Sequence, residues 1–153
     1  MLYVQAFGDA TDCVMHIVGC TPDYIAKGGS YFTAETHIRH LDEVKAGARI
    51  RVETQVLLGA GKKMQLFHAM YEGDRLLATG EHMLIHVSLA TRRACEPAPD
   101  VAAQLGKLAA AHAQLPRPDG AGAAGGHRRR VSLLASTSAA SADPLCVVHG
   151  RRR

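Results

Sequence analysis

Residues 31–55, YFTAETHIRHLDEVKAGARIRVETQ, contain two alternating runs on either side of one turn-like segment. In the second run Ile50, Val52, Thr54, Val56 and Leu58 alternate with Arg49, Arg51, Glu53 and Gln55, the period of a half-buried strand. The first run is more polar. Phe32, Ala34, Thr36 and Ile38 form its more apolar face, and Thr33, Glu35, His37 and Arg39 the other. Two further runs at 62–73 and 76–88 are apolar on both faces in places, as central strands are. The connections EVKAGA, GAGKK and EGDR each hold a Gly that breaks the ladder. Strands are therefore predicted at 31–41, 48–58, 62–73 and 76–88. Their short connections predict an antiparallel meander in which successive runs pair.

Working outward, residues 2–19 read as a helix. Leu2, Ala6, Phe7, Ala10, Val14, Ile17 and Val18 recur at three- and four-residue steps, opposite Gln5, Asp9, Asp12 and His16, and Gly19 is the stop signal. The segment 20–30, with Pro22 and Gly28-Gly29, reads as a connection. A second helix is predicted over 99–114, with Asp100 near its start and Pro116 beyond its end. From Gly120 onward the chain is mostly Gly, Ala, Ser and Arg, a composition too poor in apolar residues to order itself. One helix followed by four antiparallel strands packs most simply with the sheet curled around the apolar helix.

A chain of 153 residues with 47% hydrophobic content supports one ordinary core, packed without Trp. The formal charge of +4 is concentrated at the end of the chain: residues 127–153 carry six Arg and one Asp, and the remainder is about −1. The body thus shows no general affinity for nucleic acid, and the two Arg triplets of the tail are not interleaved with aromatics. No apolar run approaches the ~20 residues of a membrane helix. Cys13, Cys20, Cys95 and Cys146 show no metal spacing and no CxxC, so free thiols in a reducing cytoplasm are expected.

The order of helix and long strands resembles the hotdog superfamily. The stretch 31–56 is similar to that superfamily's second and third strands, and LFHAMYEGDRLLATGEHMLIHV, 66–87, to its last two. FGDATD (7–12), ETHIRHLDEV (35–44) and AAAHAQLPRP (109–118) look like acyl-coenzyme A thioesterases of the betainyl-CoA type, which occur alone or fused behind a carnitine dehydrogenase. The resemblance implies an α+β hotdog domain over 1–118, a long central helix wrapped by an antiparallel sheet, followed by a disordered basic tail over 119–153. It implies a homodimer or homotetramer, an acyl-CoA substrate, and no cofactor, nucleic acid or membrane partner. Family members open with a strand and a turn of the type Asp-Tyr-Asn-Gly-His-Met ahead of the helix. Neither precedes the helix in this sequence, so the domain is expected to be N-terminally incomplete. The implied activity is hydrolysis of a short acyl-CoA, with betainyl-CoA the substrate the resemblance suggests. The alternative is an inactive or truncated dimer that only binds.

Thioester hydrolysis needs a base or nucleophile near the carbonyl and donors for the developing oxyanion. The first turn of the helix, residues 1–4, offers backbone N–H groups and a favourable dipole. Glu35 is the strand carboxylate candidate, sharing a face with His37 while Thr36 points toward the helix. Asp9 and Asp12 lie on the polar helix face. The catalytic candidates are accordingly Glu35, Thr36 and Asp12. Asp9, His37 and Tyr31 are candidates for substrate contact, with Tyr71 a second aromatic face for a cation. Lys62 and Lys63, with Arg75, could meet the phosphates of coenzyme A. His37, His40, His68, His82 and His86 lie on strands, but no Cys or carboxylate completes a ligand set, and no metal is expected. GAGKK lacks P-loop spacing and reads as a hairpin turn.

Overall fold

The computed structural model describes residues 2–122 and 148–150. Helix α1 spans Leu2–Ile17. Ala6, Phe7, Ala10, Val14 and Val18 are buried along one stripe, with Thr11 and Met15 beside them. Ile17, expected on that stripe, lies at its margin in the last residue of the helix and is 40% exposed. Gly19 adopts φ 93°, and bonds from Cys20 N–H to Met15 O (2.8 Å) and from Gly19 N–H to His16 O (3.1 Å) close the end of the helix. The expected connection after it contains a short helix α2, Pro22–Ala26. Thr21 caps it, its hydroxyl accepting from Tyr24 N–H, with Pro22 in the first turn.

The strands are β1 (Gly29–His40), β2 (Ile50–Ala60), β3 (Lys63–Glu72), β4 (Arg75–Ser88) and β5 (Arg93–Ala94), followed by α3 (Pro99–His112) and β6 (Val148–Gly150). All pairs are antiparallel, in the order β1-β4-β3-β2-β6, with β5 on β4. β3 and β4 are central, as their two-sided apolar character predicts. β2, β3 and β4 form a meander on two-residue hairpins, with Gly61 and Gly73 at φ near 57–58°.

The first run departs from the expected meander: β1 pairs with β4, not β2. The linker after it is drawn across the β3–β4 hairpin, where the N–H groups of Leu41 and Asp42 both donate to Leu77 O, and Arg75 bonds the Asp42 carboxylate at 2.8 Å. A second difference lies within β1. Its register on β4 shifts between Thr33 and Glu35, with Ala34 as the inserted residue, so the alternation changes phase there. Tyr31 and Thr36, opposite His86 and His82, face α1, whereas Phe32 lies on the other side and is 49% exposed.

Two apolar clusters flank the middle of α1. Phe7 packs with Ile50, Val52, Met70 and Leu77; Val14 and Val18 pack with Val56, Leu66, Leu84 and the α3 residues Val101 and Leu105. α3 docks on β2, where a Cβ at Gly59 would lie 2.7 Å from Leu105 Cγ. His112 completes the contact by accepting the Val56 N–H on its ring Nδ1 at 2.8 Å. No helix among the described residues is long and apolar enough to cross a membrane. Of the expected thiols, Cys20 and Cys95 are free, but Cys13 is disulfide-bonded, and Cys146 lies outside the described residues. Chain spacing could not show this, because pairing depends on neighbours in space. Most of the expected tail, with its first Arg triplet at 128–130, also lies outside.

Glycine positions test this packing. A Cβ at Gly80 would meet the Phe7 ring at 2.8 Å, whereas at Gly106 on α3 nothing lies within 4 Å. Gly59→Ala and Gly80→Ala should each destabilise by ~1–3 kcal/mol in urea titrations. Gly106→Ala should stabilise by ~0.5–1 kcal/mol. Equal effects at the three sites would contradict the docking of α1 and α3.

Candidate active site

The structure divides the predicted residues among three places. Glu35 and His37 are exposed on the outer face of β1, opposite Met83 and Glu81. Thr36 is turned toward α1. Glu35 and Thr36 therefore cannot act on one atom from the same side of one protomer. Asp9 and Asp12 are exposed on α1, away from the sheet. Tyr3 in the first turn of α1 stacks edge-on with His40 at 4.9 Å. Glu35 lies five strand positions before His40, or ~17 Å at ~3.3 Å per residue. The first-turn N–H groups and Glu35 are thus not brought together within one chain.

The remaining candidates are occupied or remote. Tyr31 is buried at 4% exposure against the His86 ring, so it forms a wall and not an open aromatic face. Burial pushes its phenol up to about 12. Tyr71 carries the Arg51 guanidinium 4.9 Å above its ring, and Arg51 also bonds Glu53 at 2.9 Å. Arg75 is engaged by Asp42 and Glu72. Lys62 and Lys63 stand at the β2–β3 hairpin, at the end of the sheet away from Tyr3.

A row of polar residues beneath α1 was not anticipated as a unit. Thr36 on β1 meets His82 Nδ1 at 3.3 Å. His82 is T-shaped to His68 on β3, with ring centres 5.0 Å apart, and His68 Nδ1 lies 2.8 Å from Thr54 Oγ1 on β2. The other His68 nitrogen, Nε2, is 3.0 Å from Thr11 Oγ1 on α1. The hydrogen-bond directions follow from Thr11, whose hydroxyl donates to Phe7 O at 2.9 Å. Its oxygen must then accept from His68 Nε2–H, which leaves Nδ1 bare to accept from Thr54. Burial, and the nearby His82 second to it, push His68 down to about 3, so it is neutral. Burial also lowers His82.

Two other polar groups are held on neighbouring faces. Glu81, on the outer side of β4, is buried and accepts the Gly122 N–H and the Gln65 amide. Beside it an open groove of about 740 Å³ is lined by Glu53, Gln55, Phe67, Tyr71, Thr79 and Arg117. His86 Nδ1–H donates to Cys95 O at 3.0 Å, while its Nε2 accepts from the Tyr24 hydroxyl at 2.9 Å. Among the described residues no group of three His, Cys, Asp or Glu side chains is placed to hold a metal ion. The sequence did carry a signal for the row: Thr54 sits on the apolar face of its strand, and Thr11 lies beside the apolar stripe of its helix.

The neutral His68 makes stability depend on pH. The unfolded chain takes up this proton near pH 6.5 and the native protein only near 3. Stability is therefore fully present above ~6.5 and declines as pH falls, by up to ~1.4 kcal/mol per unit from this group. Between pH 6.5 and 4.5 the native protein should lose ~2–3 kcal/mol more than His68→Met in urea titrations. Equal losses would show that His68 is charged or solvated in the folded state.

Comparison with known proteins places this architecture. The thioesterase-like superfamily profile matches residues 2–105. A betainyl-CoA thioesterase of Pseudomonas aeruginosa is 41% identical over 123 residues, 78% of this chain and 77% of that protein. An L-carnitine dehydrogenase/betainyl-CoA thioesterase of Ruegeria pomeroyi is 65% identical over 122 residues, and this chain spans only 25% of that longer protein. Among solved structures, a putative thioesterase of Pseudomonas putida matches with TM-score 0.67 and 30% identity, covering 88% of this chain and 83% of that one. A Staphylococcus aureus protein in complex with CoA matches in fold with TM-score 0.73 and 20% identity, covering 85% and 81%. With one helix enclosed by an antiparallel sheet and the profile matched along most of the chain, the protein belongs to the thioesterase-like superfamily of hotdog proteins.

Proposed function

We propose that the protein hydrolyses a short acyl-CoA thioester, with betainyl-CoA as its substrate. The observation that carries this reading is the Pseudomonas aeruginosa betainyl-CoA thioesterase, of which the chain covers 77% at 41% identity. It disfavours the alternative of an inactive dimer that only binds.

The geometry supports a site completed by a second copy. β1 is an edge strand, and most of it from Phe32 to His40 is exposed. Beyond the bulge at Ala34, the edge from Glu35 to His40 offers backbone groups with which another strand could pair. Pairing two copies along β1 would bring the outer-face residues Glu35 and His37, and the inner-face Thr36, near groups of the second copy. Glu35, Thr36 and Asp12 are then the candidates to activate water, with Asp9 and His37 toward the substrate and Tyr31 behind them as a wall. Lys62 and Lys63 are the candidates for the CoA phosphates. The domain over 1–118 is expected to fold with the basic tail removed, which requires it to stand without the Gly122–Glu81 bonds and the β6–β2 pairing. Substrate class supports a cytoplasmic location.

Release of CoA thiol from betainyl-CoA and acetyl-CoA tests this reading. Betainyl-CoA should be turned over with the higher kcat/KM. Glu35→Gln, Asp12→Asn and Thr36→Val should separate the candidates, since loss of one acid–base group lowers kcat by ~10²–10⁴. Wild-type rates in all three variants, or no turnover of either thioester, would sink the assignment.

A further inference from the structure

The row beneath α1 has one exposed member, Thr36, and one unsatisfied buried atom, His82 Nε2. His82 is only 6% exposed, and its Nε2 leans over Gly80, where a Cβ would lie 3.2 Å away. The same point is 2.8 Å from Phe7 Cδ2, so Nε2 and the Phe7 ring both border the space over Gly80. Phe7 and His68 are both T-shaped to His82, at 6.2 and 5.0 Å. Neither ring supplies Nε2 with a hydrogen-bond partner. With its proton on Nε2, the imidazole presents a bare Nδ1 to the Thr36 hydroxyl 3.3 Å away.

We infer that His82 is a positioning residue for hydrolysis: it draws the Thr36 hydroxyl proton inward, so that Thr36 offers only an oxygen acceptor to the reaction site. This rests on the hydrolase reading above. An acceptor there holds the attacking water by one hydrogen and leaves its lone pair turned toward the thioester carbonyl. The depressed basicity of the buried ring keeps it neutral, and so an acceptor, through the neutral pH range. His68 is the titratable group facing it from β3. Thr36 from β1 and Phe7 from α1 bring no charge. A purely structural role would be better served by an apolar side chain, because a buried polar atom without a partner costs stability.

Two measurements on the full chain decide the matter. Long-range proton–nitrogen spectra of wild type should show His82 protonated at Nε2 and bare at Nδ1, with the Nδ1 resonance moving in Thr36→Val. A proton on Nδ1 would overturn the inference whether or not any acyl-CoA is turned over. In acyl-CoA hydrolysis, His82→Leu and Thr36→Val should each lower kcat by ~10² with little change in KM. The double variant should be no worse than either single one. His82→Asn, whose amide oxygen replaces Nδ1 as acceptor, should recover to within about tenfold of wild type. Wild-type kcat in His82→Leu, or multiplicative losses in the double variant, would contradict it. Absence of turnover by the wild-type chain would instead sink the hydrolase reading, and the spectra would still decide the tautomer.

Discussion

The structure depends on the close approach of α1 to the sheet at Gly80. A side chain there would strike the Phe7 ring, so the absence of one lets the helix settle onto the β-strands. Phe7 then stacks on His68 at 5.5 Å, and Thr11, one turn on, meets the far nitrogen of the same ring. The helix is thereby fixed by shape at one residue and by hydrogen-bond direction at the next. The apolar clusters on either side of this point add most of the burial, but neither defines the helix's rotation as His68 does.

This anchoring has a consequence at the edge of the sheet. His68 and His82 are enclosed as neutral rings, and the row they form continues outward to Thr36. A core of this size could be built from Leu and Val alone. Instead, polar groups cross four strands and surface on β1, at the end of the strand order. The polar character of β1 thus has two sources. On the outer face Glu35, His37 and Arg39 are exposed along the edge strand of the described sheet, and on the inner face Thr36 is the visible end of a buried network.

Much of this was legible in the sequence. The three- and four-residue spacing from Ala6 to Val18 defined α1, and the alternation from Ile50 to Val56 defined β2. The glycines at 61 and 73 marked true hairpins because both take left-handed φ. Strand order was not legible. Whether β1 pairs with β2 or β4 depends on the linker's bonds to Leu77 and Arg75, and no local pattern records them. Nor was the bulge at Ala34, since an inserted residue resembles weak alternation until its partner strand is known. The buried histidines were seen as separate strand residues. Burial and tautomer come from the third dimension, and a periodicity argument gives neither.

The central claim is that the thioester is held on the inner side of the β1 edge, at Thr36, between two copies of the chain. A crystal structure of the protein with a non-hydrolysable thioether analogue of betainyl-CoA tests it most directly. The account predicts two copies paired along β1, with the atom replacing the reacting carbonyl carbon ~3–4 Å from a Thr36 hydroxyl or its held water. An analogue lying instead in the outer groove over Phe67 and Tyr71, with Thr36 uncontacted in both copies, would contradict it.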